Sequence, residues 1–180
     1  LRPMEAPADL KQWRKALRQQ LISKRSACTP AERSAWSRAI VGHLEAGFRP
    51  LAGLTVGFCW PYKGEADPRP FIEALRSQGS RVALPAVVVK GQPLEFRQWW
   101  PHAPMAAGAL GIPIPTGTPA LVPDAVLVPP VGIDHNGCRL GYGGGYFDRT
   151  LASLTPQPIK ICLAYELARI PTIYPQPHDI

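Results

Sequence analysis

Between Gly141 and Gly145 four of the five residues are glycine, Tyr142 being the exception. The apolar, strand-like stretch Ala125 to Val131 precedes this run, and the helix-like stretch Tyr146 to Leu154 follows it. A segment so poor in Cβ atoms sustains neither helix nor strand, so it must be a turn between the two. Strand, glycine turn and helix in succession form the anion cradle of α/β proteins. Glycine lets the backbone approach a phosphate, and the helix N-terminus points its free N–H groups and positive dipole end at it. Arg139 adds a cation that can pair with phosphate, and Asp148 a carboxylate that can hold a metal ion. The loop therefore predicts a phosphate-bearing ligand, a nucleotide above all. Neither GxxxxGK[ST] nor GxGxxG is met, so a purely structural glycine turn is the competing reading.

The rest of the chain predicts an α/β framework around that turn. Asp9 to Ala27 reads as an amphipathic helix capped by Asp9, with Leu10, Trp13, Leu17 and Leu21 at three- and four-residue spacing. Thr29, Pro30 and Glu32 form a capping box with proline at the first helical position, and that helix runs to about Ala46. Strands are expected at Thr55 to Trp60, Arg81 to Val89, Leu94 to Trp99 and Ile159 to Tyr165, and a helix at Pro68 to Gln78. Pro85 argues that its strand lies at an edge or carries a bulge. This order predicts α/β: a single three-layer, Rossmann-like domain over residues 1–180, with a mainly parallel sheet and helices on both faces. Its N-terminal helices span 9–46 and its nucleotide loop 139–148.

Composition narrows the function. Hydrophobic residues make up 46% of the 180 and charged residues 18%, enough for a core and too apolar for global disorder. The 22 prolines cluster at Gly111 to Pro123, Thr155 to Pro158 and Pro171 to Pro177, which predicts stiffened surface loops. No apolar run of about 18 residues exists, so no membrane helix is expected. Leu1 to Leu10 lacks a signal peptide's pattern, which points to the cytoplasm, and Leu1 is not a natural start, so further residues are expected upstream. Cys28, Cys59, Cys138 and Cys162 form no CxxC pair and read as reduced thiols. His43, His102, His135 and His178 form no metal-binding spacing. Net charge is +7, much of it in Lys11, Arg14, Lys15, Arg18, Lys24, Arg25, Arg33 and Arg38. Only Trp13 and Trp36 interleave these cations, so nucleotides are a better match than nucleic acid.

Open α/β sheets bind ligands beyond the carboxyl ends of their strands. Three segments are candidates to meet there: Trp60 with Pro61-Tyr62-Lys63-Gly64-Glu65, the glycine loop, and the tail Pro175-Gln176-Pro177-His178-Asp179. Taken singly, the first also reads as a solvated turn and the last as a proline-stiffened loop.

Together they carry a resemblance. Val128-Pro129-Pro130-Val131-Gly132-Ile133-Asp134, Gly137, Arg139-Leu140-Gly141 and Gly143 through Arg149 resemble the signature of the 5-formyltetrahydrofolate cyclo-ligase (5,10-methenyltetrahydrofolate synthetase) family. The likeness extends over most of the chain: Ala16-Leu17-Arg18, Arg25 and Thr29 to Arg33 resemble the family's opening helix, and Glu65 and Pro177-His178-Asp179 also match. The resemblance implies ATP- and Mg²⁺-dependent cyclisation of 5-formyltetrahydrofolate to 5,10-methenyltetrahydrofolate, releasing ADP and phosphate. It implies that Arg14, Lys15, Arg18 and Arg139, with Leu140, Gly141, Tyr142, Gly143, Gly144, Gly145, Tyr146 and Phe147, hold ATP. It gives Trp60, Glu65, Tyr142, Gly145 and Tyr146 to the folate, Arg139 and Tyr146 to catalysis, and Asp148 and Asp179 to Mg²⁺. The partners implied are ATP and a small-molecule folate, with no membrane or nucleic acid, and the protein is expected to be a monomer. Many relatives carry a basic residue at the position of Tyr142 and lysine at that of Gly144. The less cationic loop keeps a second reading open, a catalytically altered paralogue that binds folate or nucleotide.

Overall fold

The structure is a computed structural model that describes residues 5–180. Residues 1–4, part of the expected domain, lie outside the described residues. Helix α1 (Leu10–Ser26) starts where Asp9 accepts a hydrogen bond from the Gln12 amide (2.9 Å). Helix α2 (Pro30–Gly47) opens with the expected capping box: Thr29 Oγ1 accepts from the Glu32 amide (3.2 Å), and Glu32 Oε2 accepts from the Thr29 amide (2.8 Å). Such a cap stabilises a helix by about 1 kcal/mol.

The chain continues through β1 (Thr55–Gly57), α3 (Arg69–Ser77), β2 (Arg81–Ala86), β3 (Glu95–Trp99), β4 (Met105–Ala107), β5 (Pro113–Pro115), β6 (Ala120–Leu121) and β7 (Ala125–Val128). Then come β8 (Gly132–Asp134), β9 (Arg139–Leu140), α4 (Tyr146–Ser153), β10 (Ile159–Cys162) and β11 (Arg169–Ile170). The central sheet has the order β10-β7-β1-β2-β3-β6. Its β10–β7, β7–β1 and β1–β2 pairings are parallel, and those of β3 with β2 and β6 are antiparallel. The fold is thus mixed α/β with a mainly parallel central sheet.

Alternation along the strands serves two sets of contacts. Val56, Val82, Leu84, Ala125 and Leu127 pack with Leu44 of α2 and with Phe71, Ile72 and Leu75 of α3. The intervening Ala83, Val126 and Val128 pack with Leu151 of α4. A third cluster joins Leu21 of α1 to Val131, Leu140, Ile170 and Ile173. Each fully buried large side chain contributes about 1.5–3 kcal/mol.

One expectation needs correcting and another is met only locally. The proline-rich stretch Gly111 to Pro123 is not all loop, since it holds β5 and β6. Strand β5 pairs with β4 alone, and a strand with a free side tolerates prolines that lack an amide donor. Pro85 lies in a central strand, but β1 pairs with β2 only over Arg81 to Ala83. At Pro85 the strand is paired with β3 alone, so it is an edge locally. Among the described residues no helix is long and apolar enough to cross a membrane.

Candidate active site

Strands β1 and β7 are parallel neighbours, with Val56 opposite Ala125 and Gly57 opposite Val126. The segments following them leave the sheet at the same end, which brings Glu65 and the glycine loop together. After β7 the chain forms the β8–β9 hairpin, whose turn is tied by the buried Asp134. Its Oδ1 accepts from the Asn136 and Cys138 amides (3.0 Å each), and Oδ2 accepts from the Ile173 amide of the tail (3.1 Å). Gly137 completes the turn at φ +80°. One carboxylate thus fixes both Arg139, on β9, and the start of the tail.

The glycine loop follows from the buried Leu140. Gly143 (φ +95°) and Gly145 (φ +66°) are left-handed, and Gly145 sits immediately before α4. Arg18 Nε donates to Gly141 O (2.7 Å), and Arg149 Nη2 donates to Gly144 O (2.7 Å). A Cβ on Gly144 would stand 3.0 Å from the Tyr146 ring, so the residue there stays small while Tyr146 keeps its place. The Tyr146 hydroxyl accepts from the Gly91 amide (3.3 Å), and Arg139 lies over the Phe147 ring at 5.7 Å.

Two ion pairs join the loop to its neighbours. Arg139 Nη2 donates to Asp148 Oδ1 (2.6 Å). Arg14 forks onto Asp179 (2.6 and 3.2 Å) and donates to the carbonyls of Ile173 (3.1 Å) and Tyr174 (2.9 Å). Burial pushes the Asp179 carboxyl up, but Arg14 and the Gln176 amide more than offset this and hold it below the ordinary value. The Ile180 amide donates to Asp148 Oδ1 (3.3 Å), which sets the tail beside the loop. Among the described residues no three His, Cys, Asp or Glu side chains gather into a cation cage. Asp148 and Asp179 are each paired with an arginine, and oxygen donors of this kind are the ligands Mg²⁺ takes once such a pairing is exchanged for the ion.

Across the site lies a polar chain in which Arg25 and Glu65 are buried and Tyr142, between them, is partly open to solvent. Tyr142 donates its hydroxyl hydrogen to Glu65 Oε1 (2.6 Å) and accepts from Arg25 Nη2 (2.7 Å). Arg25 Nε donates to Lys63 O (2.9 Å), and Glu65 Oε2 accepts from the Tyr62 amide (3.0 Å). Burial raises the pKa of Glu65, opposed by Tyr142, by Arg25 at 3.9 Å and by the Tyr62 amide. Tyr142 is therefore no substitute for a phosphate-facing cation but a link from the loop to Glu65. Removing its hydroxyl leaves two charged groups short of a partner. The Tyr142→Phe variant should lose about 1–3 kcal/mol of unfolding free energy by denaturant titration.

Of the residues singled out in the sequence, Arg14, Arg18, Arg139, Leu140 to Phe147, Asp148, Asp179 and Glu65 are linked by these contacts. Lys15 is exposed on α1 and makes no ion pair or hydrogen bond among the described residues. Trp60 packs against the core and Trp99 (6.1 Å), and Arg69 covers its ring at 4.7 Å, so its stacking surface is already shared. Arg25, Asp134 and Arg149 were not singled out as site residues. A signal existed for Arg25: Arg14, Arg18, Leu21 and Arg25 fall at four-, three- and four-residue spacing on one helix stripe.

A sequence profile of the 5-formyltetrahydrofolate cyclo-ligase family matches residues 10–180. A 5-formyltetrahydrofolate cyclo-ligase of Mycolicibacterium smegmatis is 33% identical over 91% of this chain and 88% of its own. The one from Mycoplasma pneumoniae is 30% identical over 86% of each. Among solved structures, the Aquifex aeolicus 5,10-methenyltetrahydrofolate synthetase superposes with a TM-score of 0.80 at 26% identity, covering 93% of this chain and 85% of the other. The Mycoplasma pneumoniae 5,10-methenyltetrahydrofolate synthetase gives 0.76 at 28% identity, covering 93% of both.

Proposed function

The chain belongs to the 5-formyltetrahydrofolate cyclo-ligase family, and on that premise we propose that it closes 5-formyltetrahydrofolate to 5,10-methenyltetrahydrofolate, using ATP and releasing ADP and phosphate. The observation that carries this reading is the convergence of Arg14, Arg18 and Arg139 on the glycine loop and tail, with Glu65 hydrogen-bonded to the same loop through Tyr142. In this reading the fold is one three-layer, Rossmann-like domain, supported by the alternation of Ala83 with Val82 and Leu84 between two helix-bearing faces.

A formamide oxygen is a poor leaving group. Attack of that oxygen on the γ-phosphorus, with ADP leaving, gives an iminium phosphate. The neighbouring folate nitrogen then attacks the formyl carbon, losing its proton as phosphate departs with the former formyl oxygen. The protein's task is to position two ligands and to offset moving negative charge. The loop amides and α4 N-terminus receive phosphate oxygens, and Arg139 and Arg18 neutralise them. Arg14 holds the tail so that Asp179 stays beside Asp148. Glu65 accepts hydrogen bonds from the pterin, exchanging Tyr142 for the substrate's donors. Tyr146, positioned by Gly91, borders the formyl group. Asp148 and Asp179 would hold Mg²⁺, which would supply further charge neutralisation at the phosphates.

The test follows methenyltetrahydrofolate absorbance with ATP, Mg²⁺ and 5-formyltetrahydrofolate. Steady formation is expected, and Asp148→Asn should lower the rate about 10–100-fold, since it weakens the metal and unseats Arg139. No turnover and no folate binding by the wild type would sink the proposal. A full rate in Asp148→Asn would refute the metal role.

A further inference from the structure

No side chain between Leu140 and Tyr146 is cationic, yet the loop is surrounded by guanidinium groups. Arg18 Cζ lies 3.2 Å from where a Gly143 Cβ would stand, and Arg139 Nη1 lies 3.4 Å from the corresponding point on Gly141. Arg149 Nη1 lies 2.8 Å from that point on Gly145. Arg149 is in the first turn of α4, and its side chain folds back over the helix N-terminus. It stacks on the Tyr146 ring at 5.0 Å, and its one hydrogen bond among the described residues runs from Nη2 to Gly144 O. Its Nε is buried with no hydrogen-bond partner.

This placement is electrostatically unfavourable for a protein group alone. A helix N-terminus repels a cation, and Arg18 of α1 and Arg139 of β9 already lie against the same loop. Asp148 answers Arg139, but no carboxylate lies within 4.0 Å of Arg18 or Arg149 among the described residues. The excess positive charge lies against Gly141, Gly143 and Gly145, beside the N-terminus of α4. The left-handed Gly145 leaves room for the guanidinium, since any Cβ there would collide with it.

We propose that Arg149 is a phosphate-contacting catalytic residue: it lies across Gly144 and Gly145 and, with Arg18 and Arg139, binds the phosphate oxygens of the nucleotide. This rests on the cyclo-ligase reading of the site. It makes Arg149 the cation at a position where the loop itself carries only glycine. The competing role is a neutral brace, in which Arg149 merely ties Gly144 O to α4.

Charge separates the two roles. Arg149→Lys keeps the cation, whereas Arg149→Gln keeps only a neutral donor for a brace. Full-length wild type and both variants are compared for binding of ATP and of inorganic tripolyphosphate, for 5-formyltetrahydrofolate binding, for turnover and for thermal midpoint. Arg149→Gln should bind ATP and tripolyphosphate about 10²-fold more weakly, with kcat/KM for ATP falling alike, while Arg149→Lys recovers most of the loss. Folate affinity and thermal midpoint should stay near wild type in both. Wild-type affinity in Arg149→Gln, or equal losses in the two variants, would overturn the proposal in favour of the brace. Wild type that binds both phosphate probes without turning over would count against the cyclo-ligase reading alone, because the binding contrast still decides the role of Arg149. Failure of wild type to bind either probe would overturn both.

Discussion

Replacing Arg139 with alanine should lower kcat/KM for ATP by about 10³-fold, the scale on which a guanidinium stabilises phosphoryl transfer. The side chain is 7% exposed, rides on β9 and is held over Phe147. Its Nη2 lies 2.6 Å from Asp148, which is itself hydrogen-bonded to the tail. On the proposed mechanism the substitution removes a phosphate cation and leaves the Asp148 carboxylate without its partner in one step. Arg139→Lys restores charge without the planar fork and should recover only part of the rate. Asp148 is 23% exposed, so water can solvate it in the variant and the fold should survive. The check is steady-state kinetics at saturating folate with thermal unfolding in parallel. A rate within about tenfold of wild type would remove Arg139 from the mechanism.

Arg25→Leu should have the largest effect on stability, a loss of about 3–5 kcal/mol, because it strands a buried carboxylate. The Arg25 and Glu65 side chains are 6% and 3% exposed, and Tyr142 lies between them. Without Arg25, Glu65 keeps only the Tyr142 hydroxyl and the Tyr62 amide, and the Lys63 carbonyl loses its donor. The defect should depend on pH. The folded-state pKa of Glu65 is already raised by burial, and loss of Arg25 raises it further. A raised carboxyl favours the fold below its ordinary value of 4.5, and that contribution is lost as pH rises through the folded value. The difference between variant and wild type should thus be small in acid and grow towards neutrality. Denaturant unfolding across that range tests it, and adding Glu65→Gln should return part of the loss at neutral pH. A pH-independent difference would place the defect in packing instead of charge.

What could be read without coordinates was whatever local chemistry dictates. The caps at Asp9 and Thr29 are decided by residues three apart, and both formed as expected. The long apolar runs became the central strands, shortened where their partners end: the run Arg81 to Val89 is strand only to Ala86, the last residue paired with β3. The short strands β4, β5, β6, β8, β9 and β11 escaped notice, since two or three residues carry no period and their pairing is decided at a distance. The glycine loop was legible because its glycines are adjacent in sequence. Its charge was not, because Arg25 and Arg149 reach it through the geometry of α1 and α4. Tyr142 and Gly144 made the loop look poor in cations when read alone, whereas in three dimensions a guanidinium is hydrogen-bonded at each. Asp134 was visible in the signature, but its bond to Ile173, 39 residues away, could not be read there.

On the proposed mechanism the site transfers the γ-phosphoryl group of ATP to the formyl oxygen of the folate. Tracing oxygen tests it most directly, with 5-formyltetrahydrofolate labelled with heavy oxygen in its formyl group. Turnover with ATP and Mg²⁺ should place that oxygen in the released phosphate, one label for each methenyltetrahydrofolate formed. Unlabelled phosphate with the heavy oxygen recovered in water, or ADP release that does not require the folate, would contradict the account.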